Sequence, residues 1–310
     1  MHLTPKRATV AEPTGSLGLH AFAAKDWLLL AGTALTWGSS FVWIELALED
    51  LAPTTIAMLR IMLGASTLAL FRAARTRVER KDMPAIATLG LLWMAVPFLL
   101  FPIAQQWINS SLAGMINGGV PIVAGLVSAL MLRRWPPTKT IVGIAVGFVG
   151  VLLVGWPAVQ DSSATALGAS LVLVATICYG IAINIAVPLQ QRYGSLPVLL
   201  RAQLVALAVT LIPGLVGMTA SDFDWSAVGA TIPLGCLGTG LAFGWMSTLL
   251  GRVGAARGSV TVYFVPVIAI VLGALFLDED VSPVSLVGTL LVIGGAFSAS
   301  RNQAAKVLGD

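Results

Sequence analysis

The chain has 310 residues, of which 57% are hydrophobic and only 10% charged, with a mean hydropathy of +0.91 and a formal net charge of +4. Soluble domains average about 25% charged residues, so this chain could not cover its own apolar surface in water. The composition therefore excludes a soluble globular protein and a disordered one, and it indicates a polytopic membrane protein.

The chain begins with a mixed polar and apolar segment that carries His2, Lys6, Arg7, His20 and Lys25. This segment lacks the compact apolar run of a signal peptide. Residues 1–26 are therefore predicted to form a cytoplasmic tail.

Ten stretches then follow that could each form a membrane-spanning helix, which needs roughly 20 largely apolar residues. They lie at about 27–48, 54–73, 84–106, 111–132, 140–157, 166–187, 197–217, 228–249, 255–277 and 284–300. The short connections leave no room for a soluble domain. The predicted fold class is an all-α integral membrane protein with ten transmembrane helices, followed by a cytoplasmic tail over residues 301–310.

The charges support this division of the chain. Lys and Arg concentrate in cytoplasmic loops, and with the N-terminus inside, 15 of the 18 basic residues fall on the cytoplasmic side. The opposite loops contain no basic residue but hold the acids Glu49, Asp50, Asp161, Asp222, Asp224, Asp278, Glu279 and Asp280. Both termini are predicted to be cytoplasmic.

Residue types also repeat at a nearly constant spacing. One and the same spacing separates Pro121 from Pro266, Gly143 from Gly288, and Gly150 from Gly295, and a slightly shorter one separates Arg60 from Arg201. A repeat of five helices, an odd number, places the second copy upside down in the membrane. Inverted repeats are typical of secondary transporters, whose substrate sites lie near the midplane. The alternative is a chance recurrence of residues that are frequent in membrane helices.

No enzyme motif accompanies these helices. The sequence has no HExxH, P-loop or GxSxG pattern, and both histidines lie in the N-terminal tail. The chain is therefore predicted not to be an enzyme, to use no ATP, and to need no cofactor or metal.

Two features inside the spans are candidates for function. Pro121 and Pro266 fall near the middle of helices 4 and 9 and are predicted to act as hinges, the alternative being fixed kinks. Glu45 and Arg60 are predicted to form an intramembrane charge pair, with structural and functional roles both open. A Glu45 held ionised by Arg60 would carry protons poorly, so facilitated transport is expected rather than proton coupling.

Four stretches carry a resemblance to a known family: LTWGSSFVWIELAL (35–48), LRIMLGAS (59–66), NGGVPIVAGLVSALMLRRWPPTKTIVGIAVGFVGVLLV (117–154) and YFVPVIAIVLGALFLDEDVSPVSLVGTLLVIGGAF (263–297). Together they resemble the EamA repeat of the drug/metabolite transporter superfamily. The repeats would cover residues 27–157 and 166–300. Arg133 and Arg134 depart from the pattern, since the family often has an acidic residue there.

The resemblance implies a bacterial inner-membrane transporter of a small metabolite, and it favours an exporter of an amino acid or related compound. The alternative is an uptake permease or exchanger for a sugar- or nucleotide-type solute; a channel or a membrane enzyme fits less well. The expected partners are substrate and membrane lipid, without nucleic acid, in a monomer or homodimer. The resemblance assigns the cavity to helices 1, 3, 4, 6, 8 and 9, where the candidate residues are Trp37, Ser39, Ser40, Gln105, Gln106, Trp107, Asn117, Tyr179, Asn184, Trp245, Thr261 and Tyr263.

Overall fold

The computed structural model describes residues 23–132, 138–253 and 260–307, which form helices joined by short turns without any β-strand. Most of the predicted N-terminal tail and both Arg133 and Arg134 lie outside the described residues. The α-helices are α1 (Ala24–Leu48), α2 (Pro53–Ala69), α3 (Met83–Gly90), α4 (Val96–Ala104), α5 (Ser110–Asn117), α6 (Val120–Leu132), α7 (Thr138–Asp161), α8 (Ser163–Tyr193), α9 (Ser195–Met218), α10 (Trp225–Ile232), α11 (Ala242–Val253), α12 (Val260–Phe276) and α13 (Pro283–Val307).

Several of these helical stretches are long and apolar enough to cross a membrane. Within the described residues, six qualify by length and composition: Ala24–Leu48, Arg80–Ala104, Ser110–Met131, Ser163–Tyr193, Ser195–Met218 and Trp225–Leu250. Three shorter apolar helices are Ile141–Pro157, Thr261–Phe276 and Pro283–Ser298. The all-helical, multi-pass membrane fold is confirmed, whereas the count of ten spans stays a prediction.

Two helical runs contain a stretch of π-helix. One lies at Leu91–Ala95 between α3 and α4, and the other at Pro233–Leu241 between α10 and α11. The offset along the chain from the first π-helix to the second equals the offset from the start of α2 to the start of α9. The backbone thus shows a spacing close to that of the repeated residue types.

Helices α7 and α13 pack closely through the repeated glycines. A Cβ atom on Gly150 would lie 2.6 Å from the carbonyl oxygen of Gly288, and one on Gly295 would lie 2.5 Å from that of Gly143. Small residues allow such approach of helix backbones in membranes. Because the numbering rises along one helix as it falls along the other, the two helices are antiparallel.

Helices α2 and α9 form a second antiparallel pair. The Thr55 hydroxyl donates to the carbonyl oxygen of Gly214 at 3.1 Å. A Cβ atom on Gly214 would overlap with Cβ of Met58, and one on Gly217 would overlap with Oγ1 of Thr54. Both antiparallel pairs therefore join helices that the repeat spacing relates.

The two candidate hinge prolines occupy different positions. Helix 4 of the sequence prediction is broken, because α5 ends at Asn117 and α6 begins at Val120. Pro121 lies in the first turn of α6, where a missing N–H has no helical partner to lose. Pro266 lies inside the continuous helix α12, and its Cγ would be 3.2 Å from a Cβ on Gly118. The irregular turn at residues 118–119 lies within the membrane-length stretch Ser110–Met131, about one turn before Pro121, and the hinge roles of both prolines stay predictions.

Candidate functional site

Aromatic side chains from several helices meet in one group, here called the aromatic cluster: Trp37, Phe41, Trp93, Phe98, Phe101, Tyr179 and Phe243. Trp37 and Trp93 each meet Phe243 edge-on, with 5.3 Å between ring centroids. Phe101 contacts Phe41 at 5.4 Å and Tyr179 at 5.9 Å. Edge-on and tilted contacts suit the aromatic quadrupole. Phe41, Phe98 and Phe101 are buried in this cluster, whereas Trp37, Trp93, Tyr179 and Phe243 are partly exposed.

Polar groups border this cluster at the π-helix of Pro233–Leu241. The Trp37 indole N–H donates to the carbonyl oxygen of Gly238 at 3.1 Å. The Gln203 amide donates to the carbonyl oxygen of Thr239 at 2.8 Å, and Nε of Arg60 donates to the Thr239 hydroxyl at 2.9 Å. A π-helix disturbs the regular hydrogen-bond ladder and often occurs at functional sites. Here it accepts side chains from α1, α2 and α9.

Arg60 is the buried cation of this site. Its side chain is 6% exposed, and its guanidinium carbon lies 3.7 Å from the centroid of the Phe98 ring. The cation–π contact of this desolvated guanidinium contributes about 2 kcal/mol, and its hydrogen bond to Thr239 about 1.5–3 kcal/mol. The two terminal nitrogens carry four further N–H groups and donate to no described residue. Burying this charge carries a further cost, because no ion pair of the described residues includes Arg60.

The expected Glu45–Arg60 charge pair is wrong. The ion pairs among the described residues are Lys81–Glu79, Arg192–Asp82 and Arg252–Asp26. Glu45 instead accepts a hydrogen bond at 3.0 Å from Gln105, which also donates to the carbonyl oxygen of Phe41 at 2.8 Å. Counting residues along the helices predicts that the two charged side chains lie at similar depths in the membrane, but it does not predict in which direction each side chain points. Arg60 therefore does not hold Glu45 ionised, and the expectation of facilitated transport loses this support.

Most of the predicted polar residues bond to backbone carbonyls. Ser39 and Ser40 both donate to the carbonyl oxygen of Thr36 within α1. Asn184 donates to the carbonyl oxygens of Ala124 and Gly180 at 3.0 and 2.9 Å. The two serine bonds lie within α1, whereas the bond from Asn184 to Ala124 joins α8 to α6. Predicted residues with a buried oxygen that has no described partner are Gln105, Asn117 and Thr261.

The predicted aromatic residues divide between the site and other places. Trp37 and Tyr179 belong to the aromatic cluster. The ring of Trp245 instead packs against α1, where a Cβ atom added to Gly32 would lie 3.5 Å from it. The Tyr263 hydroxyl donates to the carbonyl oxygen of Ala296 at 2.9 Å, so it ties α12 to α13. Gln106 and Trp107 are exposed in the turn after α4, as an interfacial anchor would be.

Clefts lie at both ends of the helices. The cleft at the acidic end (Glu49, Asp50 and Asp222) measures 410 Å³ and is also lined by Gln105 and Gln106. The cleft at the opposite end measures 560 Å³, and its polar lining residues are Asp82, Asn184 and Arg192. The aromatic cluster shares helices with both clefts, since Gln105 directly follows α4 and Asn184 lies on α8.

Sequence reasoning missed several residues of this site. Thr239 and Gln203 looked like ordinary polar residues in apolar helices, and the π-helix that gives them their roles has no sequence signature in this chain. Phe98 was one apolar residue among many. Glu279 was seen only as part of an acidic turn, yet its carboxylate accepts the backbone N–H groups of Ser110 and Ser111 at 2.8 Å each. It thereby caps α5.

The comparison with protein families decides the identity of the fold. The profile of the EamA-like transporter family matches the chain twice, at residues 26–156 and 166–301. The chain belongs to the EamA-like transporter family. A solved crystal structure agrees with this fold at a TM-score of 0.62 and 15% identity, over 90% of this chain and 99% of that one.

Similar proteins of the EamA-like family extend over nearly the whole chain. A protein of Archaeoglobus fulgidus named as an uncharacterized transporter is 27% identical over 90% of this chain and 100% of its own length. A probable terminal-alkyne amino-acid exporter of Streptantibioticus cattleyicolor is 26% identical over 89% and 93% of the two chains. A probable amino-acid metabolite efflux pump of Escherichia coli is 25% identical over 88% and 94%. The family and these relatives are transporters rather than enzymes.

Proposed function

We propose that this EamA-like protein is a secondary transporter that exports an amino acid or a related small metabolite across a bacterial inner membrane by alternating access, without ATP. The observation that carries the substrate class is its full-length similarity to relatives named as amino-acid exporters and efflux pumps. The bordering of an aromatic cluster by polar groups agrees with a solute that has one apolar and one charged end.

The proposed architecture has ten spans in two inverted five-helix repeats, with both termini in the cytoplasm. Three observations support it: the family profile matches twice, the π-helices and the starts of α2 and α9 recur at one common offset, and helices related by the repeat spacing pack antiparallel. With the basic end in the cytoplasm, the charge distribution obeys the positive-inside rule. The aromatic cluster would then lie between a cytoplasmic and an external cleft.

Transport by the purified protein tests the proposal. Vesicles containing the protein are loaded with an unlabelled neutral amino acid, and uptake of the labelled form by exchange is followed over a panel of amino acids. We expect saturable exchange for at least one of them. No exchange for any amino acid, together with exchange of a sugar or nucleoside, would contradict the proposal.

A pair of tryptophan variants locates the site in the same assay. Trp37→Phe keeps an aromatic ring but removes the N–H that donates to Gly238, and transport should fall about fivefold for one lost hydrogen bond. Trp156→Phe is the matched control, because Trp156 is 55% exposed on α7. Equal effects of the two substitutions would argue against a site at the aromatic cluster.

Reporter fusions test the topology. Fusions after Lys81, Lys139 and Arg192 should report the cytoplasm, and fusions after Asp50, Asp161 and Asp224 should report the external side. Two adjacent loops on the same side would overturn the ten-helix arrangement without affecting the proposed substrate.

A further inference from the structure

Arg60 presents a positive charge that no acidic side chain of the described residues balances. The ion pairs of the described residues involve other basic side chains, and no Asp or Glu among those residues lies within ion-pair distance of Arg60. We propose that Arg60 binds the carboxylate of the transported compound through its two terminal nitrogens. This inference rests on the proposed transport function and narrows its substrates to compounds with a carboxylate.

The guanidinium is held in a fixed orientation by the protein. Its Nε bonds to Thr239 and its flat face lies on Phe98. Gly64, one turn along α2, allows this approach, since a Cβ there would lie 2.6 Å from Cγ2 of Thr239. An arginine fixed at its Nε and its face has its terminal N–H groups left for a ligand. Planar, forked donors of this kind match a carboxylate in a bidentate way.

The terminal nitrogens also remain accessible to a small group. Buried side-chain atoms that are enclosed and lack a partner include Oε1 of Gln203 and Oδ1 of Asn117, but neither terminal nitrogen of Arg60. Since these nitrogens have no described partner either, they face space that a water-sized group can enter. A carboxylate oxygen is of that size.

Tyr179 supplies a second donor near the same place. Its ring leans on Phe101, and its hydroxyl makes no hydrogen bond to a described residue. Tyr179 lies on α8 and Arg60 on α2, so a bound carboxylate would join the two halves of the chain. The apolar remainder of the substrate would then lie against the aromatic cluster.

Arg201, one residue before the position on α9 that corresponds to Arg60, is an arginine whose terminal nitrogens are not free in this way. Its terminal nitrogens donate to the carbonyl oxygens of Pro197 at 3.0 Å, Ala74 at 3.4 Å and Thr76 at 2.6 Å. These bonds satisfy the guanidinium within the protein. Arg201 is therefore the matched control for experiments on Arg60.

The test compares amino acids with their amides, which lack the carboxylate. Exchange in vesicles is measured for leucine, phenylalanine and threonine, and for leucinamide, phenylalaninamide and threoninamide. For each transported pair we expect the wild-type protein to favour the acid by on the order of 100-fold, since a buried charge partner is lost in the amide. Arg60→Gln should bring this ratio close to one, Arg60→Lys should keep part of it, and Arg201→Gln should leave it unchanged.

The outcomes separate this inference from the function on which it rests. Equal transport of acid and amide by the wild-type protein would overturn the role of Arg60 while leaving an amino-acid transporter. Transport of none of the six compounds would contradict the proposed function itself. If Arg60→Gln does not insert into the membrane, the acid-to-amide transport ratio is compared among the wild type, Arg60→Lys and Tyr179→Phe. This ratio still tests the role of Arg60, because a folding defect lowers the transport rates of acid and amide alike.

Discussion

Arg60 and Arg201 lie on α2 and α9, two helices that the repeat spacing relates, yet they have opposite surroundings. Arg201 has three backbone carbonyl oxygens around its terminal nitrogens. Arg60 has one hydroxyl at Nε and an aromatic ring below its face. By the offset between the starts of α2 and α9, Arg60 corresponds to Ala202, one residue after Arg201. A shift of one residue turns a side chain by about 100° around the helix axis, so the two arginines meet different acceptors on the neighbouring helices.

Replacing each arginine by methionine should lower stability at Arg201 but not at Arg60. Arg201→Met leaves the three carbonyl oxygens without their donor and should lower the free energy of unfolding by about 1–2 kcal/mol. Arg60→Met removes an unbalanced buried charge, so substrate-free protein should be as stable as the wild type or more so. Thermal unfolding in detergent measures both. A lower unfolding temperature for Arg60→Met than for Arg201→Met would mean that Arg60 is a structural residue.

The two prolines extend this comparison of the halves to a second pair of positions. Pro266→Ala restores a donor inside α12 and should slow transport about fivefold, which corresponds to about 1 kcal/mol, because the new N–H can bond to the carbonyl oxygen of Val262 and stiffen the helix. Pro121→Ala should change transport less than twofold, since a donor in the first turn of α6 gains no helical acceptor. Rates at matched expression levels provide the test. Equal losses of transport rate in the two variants would show that Pro121 contributes to transport as much as Pro266 does, despite its position in the first turn of α6.

Positions 134 and 279 form a third pair of related positions, and they are separated by the same number of residues as Pro121 and Pro266. Glu279 caps α5, whereas position 134 is an arginine that lies outside the described residues. Glu279→Gln weakens the cap and should lower the free energy of unfolding by about 0.5–1 kcal/mol. Asp280→Asn, at an exposed neighbour, should leave it unchanged. A similar loss in both variants would indicate a general effect of loop charge rather than capping.

Glu45 should show the smallest effect. Its amide analogue can keep the bond to Gln105, so Glu45→Gln should change the transport rate less than twofold.

Glu45 lies one helical turn before Glu49 at the acidic end of the helices. The offset that relates the two π-helices places an apolar residue, Val187, at the corresponding position of the second half. A carboxyl so close to one surface should exchange protons with that side alone. An imposed proton gradient should therefore not drive accumulation; accumulation lost specifically in Glu45→Gln would make Glu45 the coupling residue.

Composition and spacing predicted the features that depend on the chain alone. The low charge content indicated an all-helical membrane protein, and Gly143, Gly150, Gly288 and Gly295 recur at the spacing that their antiparallel packing uses. What could not be predicted depends on rotation and on local helix geometry. The depth of Arg60 follows from counting along α2, but its approach to Thr239 depends on a π-helix with no sequence signature.

The most direct test of the account is the effect of substrate on thermal stability. A ligand that binds the folded protein raises its unfolding temperature, so an amino acid transported by the wild-type protein should do so in wild type and in Arg201→Met. In Arg60→Met the same amino acid should produce no shift, although the substrate-free variant is as stable as wild type. A shift of wild-type size in Arg60→Met would show that the carboxylate binds elsewhere and would contradict the account.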